Sequence, residues 1–220
     1  MPITNSQFGV GLGNFTASPY GCSVKFKVAT GIVGIAGTST GKWCTAGNLI
    51  GVYSGGQYIE CSITYSATGG PQPQGWYLSI KNNGVDIAYH SLGYDPTGDF
   101  MLLYLQIGSY SNWTASYQDV TKGGSKTTYD TGVIASTLVA ANLWFENGGD
   151  TSCCDYRNFG GTQFTNVTFY NISNSVITNN WSASVHPNPN PPHKCTTPST
   201  SDCIFVDTIA FNIYYNCTVC

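Results

Sequence analysis

The chain has 220 residues, a formal net charge of −3 and only 9% charged residues, with a single arginine, Arg157. Such a surface offers no basic patch to neutralise a phosphate backbone, so nucleic acid is excluded as an expected partner. The longest strongly apolar run, FMLLYLQI at 100–107, falls far short of the roughly 20 residues that cross a bilayer, and no membrane-spanning helix is expected.

In chain order, FGVGLGNF (8–15) alternates Phe8, Val10 and Leu12 with small residues, the pattern of a strand with one apolar face. It can open the protein's own sheet or be donated to a neighbouring subunit. SVKFKVAT (23–30), QYIECSITYS (57–66), GWYLSI (75–80) and VDIAYHSL (85–92) alternate in the same way. Asn83-Gly84 separates the last two with residues that accept positive φ, which predicts a tight hairpin, and TKGGSK (121–126) predicts another. No window carries capped helical periodicity. The expected fold is all-β, a two-sheet antiparallel β-sandwich of the concanavalin-like or jelly-roll type. The sandwich is assigned to 1–184 and a proline-rich tether to 185–203. Residues 204–220 are read as a terminal strand completing this sandwich or a neighbour's, with Ile209, Phe211 and Ile213 on one face.

Nine cysteines, at Cys22, Cys44, Cys61, Cys153, Cys154, Cys195, Cys203, Cys217 and Cys220, suit an oxidising compartment and are read mostly as disulfides, with pairing open and one thiol left over. Six Asn-x-Ser/Thr sequons, at Asn14, Asn112, Asn166, Asn171, Asn180 and Asn216, point the same way, to an extracellular or cell-surface protein.

Chemical motifs are sparse. No nucleophile elbow, P-loop, H-E-x-x-H or dinucleotide fingerprint occurs. His186 and His193 flank the proline-rich stretch near Cys195 and are read as loop residues, while the acidic loops YDPTGD (94–99) and NGGD (147–150) carry only a faint calcium signal. No metal and no cofactor is expected. The stretch AANLWFENG (140–148) holds Glu146, one of two glutamates in the chain. As a strand, it places Asn142, Trp144 and Glu146 at one parity and Leu143 and Phe145 at the other.

Several segments together resemble the glutamic peptidases, or eqolisins. They are VGIAG (33–37), GWY (75–77), DPTGDF (95–100), WTASYQDVTKGG (113–124) and FGGTQFTNVTF (159–169), in the family's order over roughly residues 20 to 170. The resemblance implies a β-sandwich in which a glutamate activates water as general base and a glutamine stabilises the oxyanion. It also implies that the pair is lost here. ANLWFE places Asn142 at the catalytic glutamate and Glu146 at a second, non-catalytic position, and NLIGV (48–52) has no glutamine in the segment matching Leu-Gln-x-Gly. Ala36 and Leu78 stand where two further acidic residues are expected. A register shift would bring Glu146 to the catalytic place, with Gln57 or Gln74 as its amide partner.

The leading expectation is a secreted, glycosylated, disulfide-stabilised structural or adhesive protein without catalysis. It would assemble with copies of itself into a filament or layer by donating a terminal strand through Phe8, Val10 and Leu12 or Ile209, Phe211 and Ile213. The alternatives are an acid-active glutamic endopeptidase using Glu146 with Gln57 or Gln74, and a carbohydrate-binding module that stacks tyrosine and tryptophan on glycans.

Overall fold

The computed structural model describes residues 4–31, 44–66, 72–149, 162–187, 203–207 and 210–213, with backbone alone for 4–9, 44–46, 145–149, 183–187 and the stretches after 203. Two antiparallel sheets are stacked, as the alternation predicts. Sheet A runs in space as β13 (Ser182–Pro187), β1 (Thr4–Gly13), β10 (Leu138–Gly149), β3 (Cys44–Ser54), β4 (Gln57–Ser66), β5 (Gly75–Asn82) and β6 (Val85–Ser91). Sheet B runs as β14 (Cys203–Asp207), β15 (Ala210–Ile213), β11 (Thr162–Tyr170), β2 (Gly21–Lys27), β7 (Phe100–Ile107), β8 (Asn112–Asp119) and β9 (Thr127–Ile134), with the short β12 (Val176–Ile177) beside β11. Among the described residues the only helical turn is a 3-10 turn at Ser109–Ser111, and no helix is long and apolar enough to cross a membrane.

Period-two alternation supplies the core. Ile59, Cys61 and Ile63 of β4, Val24 and Phe26 of β2, and Met101, Leu103 and Leu105 of β7 are fully buried between the sheets. Where the apolar spacing is odd, the strand inserts a residue. Phe164 and Phe169 both reach the core from β11 although they are five apart, and the ladder to β2 shifts between Thr165 and Thr168, with Asn166 at φ 52°. Leu138 and Ala141 of β10 do the same across a shift that leaves Val139 exposed. The Asn83-Gly84 hairpin forms with φ of 50° and 77°, as its sequence requires, and the Asn83 Oδ1 accepts the Tyr58 backbone N–H at 2.8 Å.

A buried polar contact joins the sheets. Buried Asn48 of β3 donates its amide to Thr162 Oγ1 of β11 at 2.8 Å, and that hydroxyl donates to the Lys27 carbonyl at 2.6 Å. At the open edges, His90 of β6 stacks on Tyr129 of β9 with centroids 3.5 Å apart.

One expectation changes. Cys22 and Cys61 are not cross-linked: both are free thiols buried in the core, where each fills the place of a small apolar side chain. Oxidising-compartment logic assigns cysteines by number, but these two occupy inward-facing strand positions that the core needs filled. Of the segment read as a tether, 185–187 lie in β13 and Cys203 opens β14; the residues between lie outside those described. β1 lies between β10 and β13 and β15 between β14 and β11, so within this chain both terminal segments take the own-sheet placement, one of the two that the sequence allows. Val10 and Leu12 are core residues, and Phe8, Phe211 and Ile213 sit in register with Phe145, Phe164 and Thr162. Ile209 lies outside the described residues, as do Cys153, Cys154, Cys195, Cys217 and Cys220; Cys44 and Cys203 are described by their backbone alone.

Candidate functional site on the outer face of sheet A

Alternation that buries Ile59, Cys61 and Ile63 turns Tyr58, Glu60, Ser62 and Thr64 to the opposite side of sheet A. The neighbouring strands add Asn142 and Trp144 from β10, Gly51 and Tyr53 from β3, and Tyr77, Ser79 and Lys81 from β5. Although this face points away from the core, Glu60 is 4% exposed, Asn142 6% and Ser79 3%. Buried polar groups on a non-core face are the feature a recognition or catalytic surface leaves in a sandwich.

One ladder row organises the face: Gly11, Asn142, Gly51, Glu60 and Lys81 lie directly opposite one another on five successive strands. Asn142 and Glu60 are thus two strands, about 10 Å, apart. Tyr58 fills the space between them. Its ring leans over Gly51 so closely that a Cβ added there would lie 2.2 Å from the phenol oxygen, and Asn142 Nδ2 is 3.5 Å from the same oxygen. Tyr53 packs on Tyr58 with centroids 4.5 Å apart. Glu60 is ion-paired with Lys81 at 3.2 Å, both side chains largely shielded from water. At the far side, Tyr77 and Tyr89 pack edge to face, and burial with the nearby Asp86 carboxylate pushes the Tyr89 phenol well above its usual range. Trp144 stands two residues along from Asn142, its Nε1 without a hydrogen-bond partner among the described residues.

The ladders place the sequence-derived candidates apart. Glu146 pairs with Gln7 and Gly47, four residues or about 13 Å along β10 from Asn142, and only its backbone is described. Gln57 lies opposite Ser54, which pairs with Leu138, so Gln57 and Glu146 occupy opposite ends of the sheet, roughly 25 Å apart. Gln74 precedes β5, three strands from β10, and donates its amide to Tyr65 at 2.6 Å. Leu78, at the position matched to an acidic residue, points into the core and is fully buried; Ala36 is outside the described residues. Glu60 is the carboxylate that sequence reasoning missed. Its signal was the strand parity of QYIECSITYS, which separates it from Ile59 and Cys61.

Among the described residues no cluster of three histidine, cysteine or acidic side chains could hold a metal. In YDPTGD, Asp95 accepts the Thr97 N–H and hydroxyl, and Lys122 supplies the positive charge beside Asp99 and Asp119, at 2.5 Å and 3.5 Å. Asp150 of NGGD and His193 lie outside the described residues, and His186 is placed only by its backbone pairing with Gly9.

The sequons avoid this face. Asn14, Asn166 and Asn180 are exposed, Asn112 and Asn171 half-buried, and none of the five lies on a strand of sheet A; Asn216 is outside the described residues. Asn14, Asn112, Asn171 and Asn180 gather at one end of the sandwich, where Thr16 bonds the Asn180 carbonyl and Asn174 bonds the Ile107 carbonyl.

Three solved structures share this architecture over nearly the whole chain. Scytalido-glutamic peptidase bound to a transition-state analogue inhibitor superposes with a TM-score of 0.57 at 12% identity, covering 96% of this chain and 98% of that one. The same enzyme with a peptide-based analogue gives 0.54 at 12% with the same coverage. SCP-B, a member of the Eqolisin family in complex with the tripeptide Ala-Ile-His, gives 0.50 at 11%, again covering 96% and 98%. At such identity the likeness shows a shared fold and no more. No protein-family model matches the sequence, and no curated protein matches it.

Proposed function

We propose that this chain is an extracellular glycoprotein that binds and does not cut: a structural or adhesive sandwich whose recognition surface is the outer face of sheet A. The observation that carries the reading is Tyr58. Its phenol occupies the space between the amide of Asn142 and the carboxylate of Glu60, and Glu60 is already ion-paired with Lys81. A general base for peptide hydrolysis needs a carboxylate within hydrogen-bond reach of a water and an oxyanion donor beside it. Here the row offers an amide, a phenol and a neutralised carboxylate, flanked by Tyr53 and Trp144. These groups suit the hydroxyls, amides and ring faces of an extended polar ligand. The placement of all five described sequons off sheet A supports an exposed glycan-bearing side and a bare binding side.

Self-association by exchange of β1, or of β14 with β15, would keep every ladder and change only which chain supplies the strand. Sedimentation equilibrium of the protein secreted from eukaryotic cells tests the assembly. A concentration-dependent oligomer is expected, and a monomer at all concentrations removes the self-assembling role. The acid-peptidase reading rests on the fold shared with scytalido-glutamic peptidase and is tested by cleavage of casein at acid pH.

A further inference from the structure

The β7–β8 hairpin turns through Gly108, Ser109, Tyr110 and Ser111 directly into the sequon Asn112-Trp113-Thr114. At its tip Tyr110 is 92% exposed, the most solvent-exposed large hydrophobic side chain among the described residues. It is held there by an unusual backbone: Tyr110 and Ser111 are consecutive non-glycine residues in the left-handed region, with φ of 64° and 59°. Such a pair persists only where the surroundings impose it. They do so by three contacts. The Gly108 N–H donates to the Asn112 carbonyl at 2.8 Å, the Ala135 N–H donates to the Ser111 carbonyl at 2.8 Å, and Thr114 Oγ1 donates to the Gln106 carbonyl at 3.0 Å. A Cβ at Gly108 would meet Thr114 Cγ2 at 2.2 Å, so a larger residue there would have to turn the threonine side chain. The sequon's own threonine is thus part of the frame that projects the ring.

We infer that Asn112 carries an N-linked glycan and that Tyr110, two residues before it on the turn, is the platform on which the first sugar rests. This deepens the extracellular reading above and rests on it. Among the described residues nothing covers the tyrosine ring, yet the turn holds a strained backbone to present it. A sugar offers the matching surface, because its axial C–H groups pack on an aromatic face. Glycosylation forms a bond from Asn112 Nδ2 to the anomeric carbon of an oligosaccharide carried on a lipid pyrophosphate. The carbon–oxygen bond to the pyrophosphate breaks with its electrons leaving on that group, and the nitrogen gives up one proton. The second amide hydrogen remains to donate to Asp130, whose carboxylate oxygens lie 3.2 and 3.4 Å from Nδ2. The other described sequons lack such a platform: the residues two before Asn166 and Asn171 are Phe164 and Phe169, both in the core.

The test is a double-mutant cycle on the full chain secreted from eukaryotic cells: wild type, Tyr110→Ala, Asn112→Gln and both. Peptide mapping after peptide-N-glycosidase, which converts a glycosylated asparagine to aspartate, reports occupancy. The expected result is an occupied Asn112 and a fall in Tm of about 2–4 °C on Asn112→Gln in the wild-type background, with little further change in the Tyr110→Ala background. The same four proteins made in bacteria should show no coupling. Asn112 bare while other sequons are occupied, or equal losses in both backgrounds, or the same coupling without glycan, overturns the inference and leaves the extracellular reading standing. Failure to be secreted, or no glycan at any sequon, brings down both.

Discussion

Asn142 and Gly51 face each other across one step of the β10–β3 ladder, and the missing side chain at Gly51 is what lets Tyr58 lie between Asn142 and Glu60. The relationship sets which group stands between the two polar side chains of this row. A glycine opens the room, and a phenol from the next strand takes it.

Gly51→Ala should therefore displace a side chain, whereas Gly47→Ala should displace backbone. A Cβ at Gly47 would lie 2.1 Å from the Ile63 carbonyl oxygen and 2.6 Å from Thr64 Cα, which cannot rotate away. We expect Gly51→Ala to cost about 1–3 kcal/mol and Gly47→Ala to exceed that range or fail to fold. Urea denaturation of the two variants checks the order, and equal costs would count against the placement of the Tyr58 ring.

Lys81→Met leaves the Glu60 carboxylate without its cation at a site where its side chain is 6% exposed. The expected loss is about 3–5 kcal/mol, while the paired change Glu60→Gln with Lys81→Met should recover most of it. Denaturant midpoints of the single and double variants measure the coupling. Additive losses would mean that the ion pair does not govern this part of the face.

Burial holds the Cys22 thiol far above its usual range and raises Cys61 in the same way, with smaller contributions at Cys61 from Cys22 and Glu60. Both stay protonated in the folded protein while unfolded thiols ionise near pH 8.5. The folded state then binds more protons, so stability is intact below about pH 8.5 and falls as pH rises above it, by up to about 1.4 kcal/mol per pH unit per thiol. Denaturation midpoints between pH 7 and pH 10 should show this decline, and Cys61→Val should make it shallower by the share of one thiol. In native protein both thiols should resist alkylation that proceeds after denaturation; labelling of either one in the native state would contradict their burial.

Much of the fold was legible because period two is hard to disguise. QYIECSITYS spans the same residues as β4, and Asn83-Gly84 turns where its two positive φ angles allow. The bulges were not legible, since Val139, Asn166 and Ile87 look like ordinary strand residues until both flanking apolar positions are seen to face one core. Glu60 escaped for a related reason. Its meaning depends on the register that sets it beside Lys81 and opposite Gly51, and pairing between strands is not written in local alternation. Cys22 and Cys61 were misjudged because a cysteine count speaks of the compartment and not of the strand face on which each thiol falls.

Whether the outer face of sheet A binds without hydrolysing is decided by incubating the protein with casein at about pH 3–4, where a carboxylate base near its reference pKa can still act. No cleavage above a protein-free blank is expected for wild type, Glu60→Gln and Glu146→Gln alike. Cleavage by the wild type that disappears in either glutamine variant would contradict it.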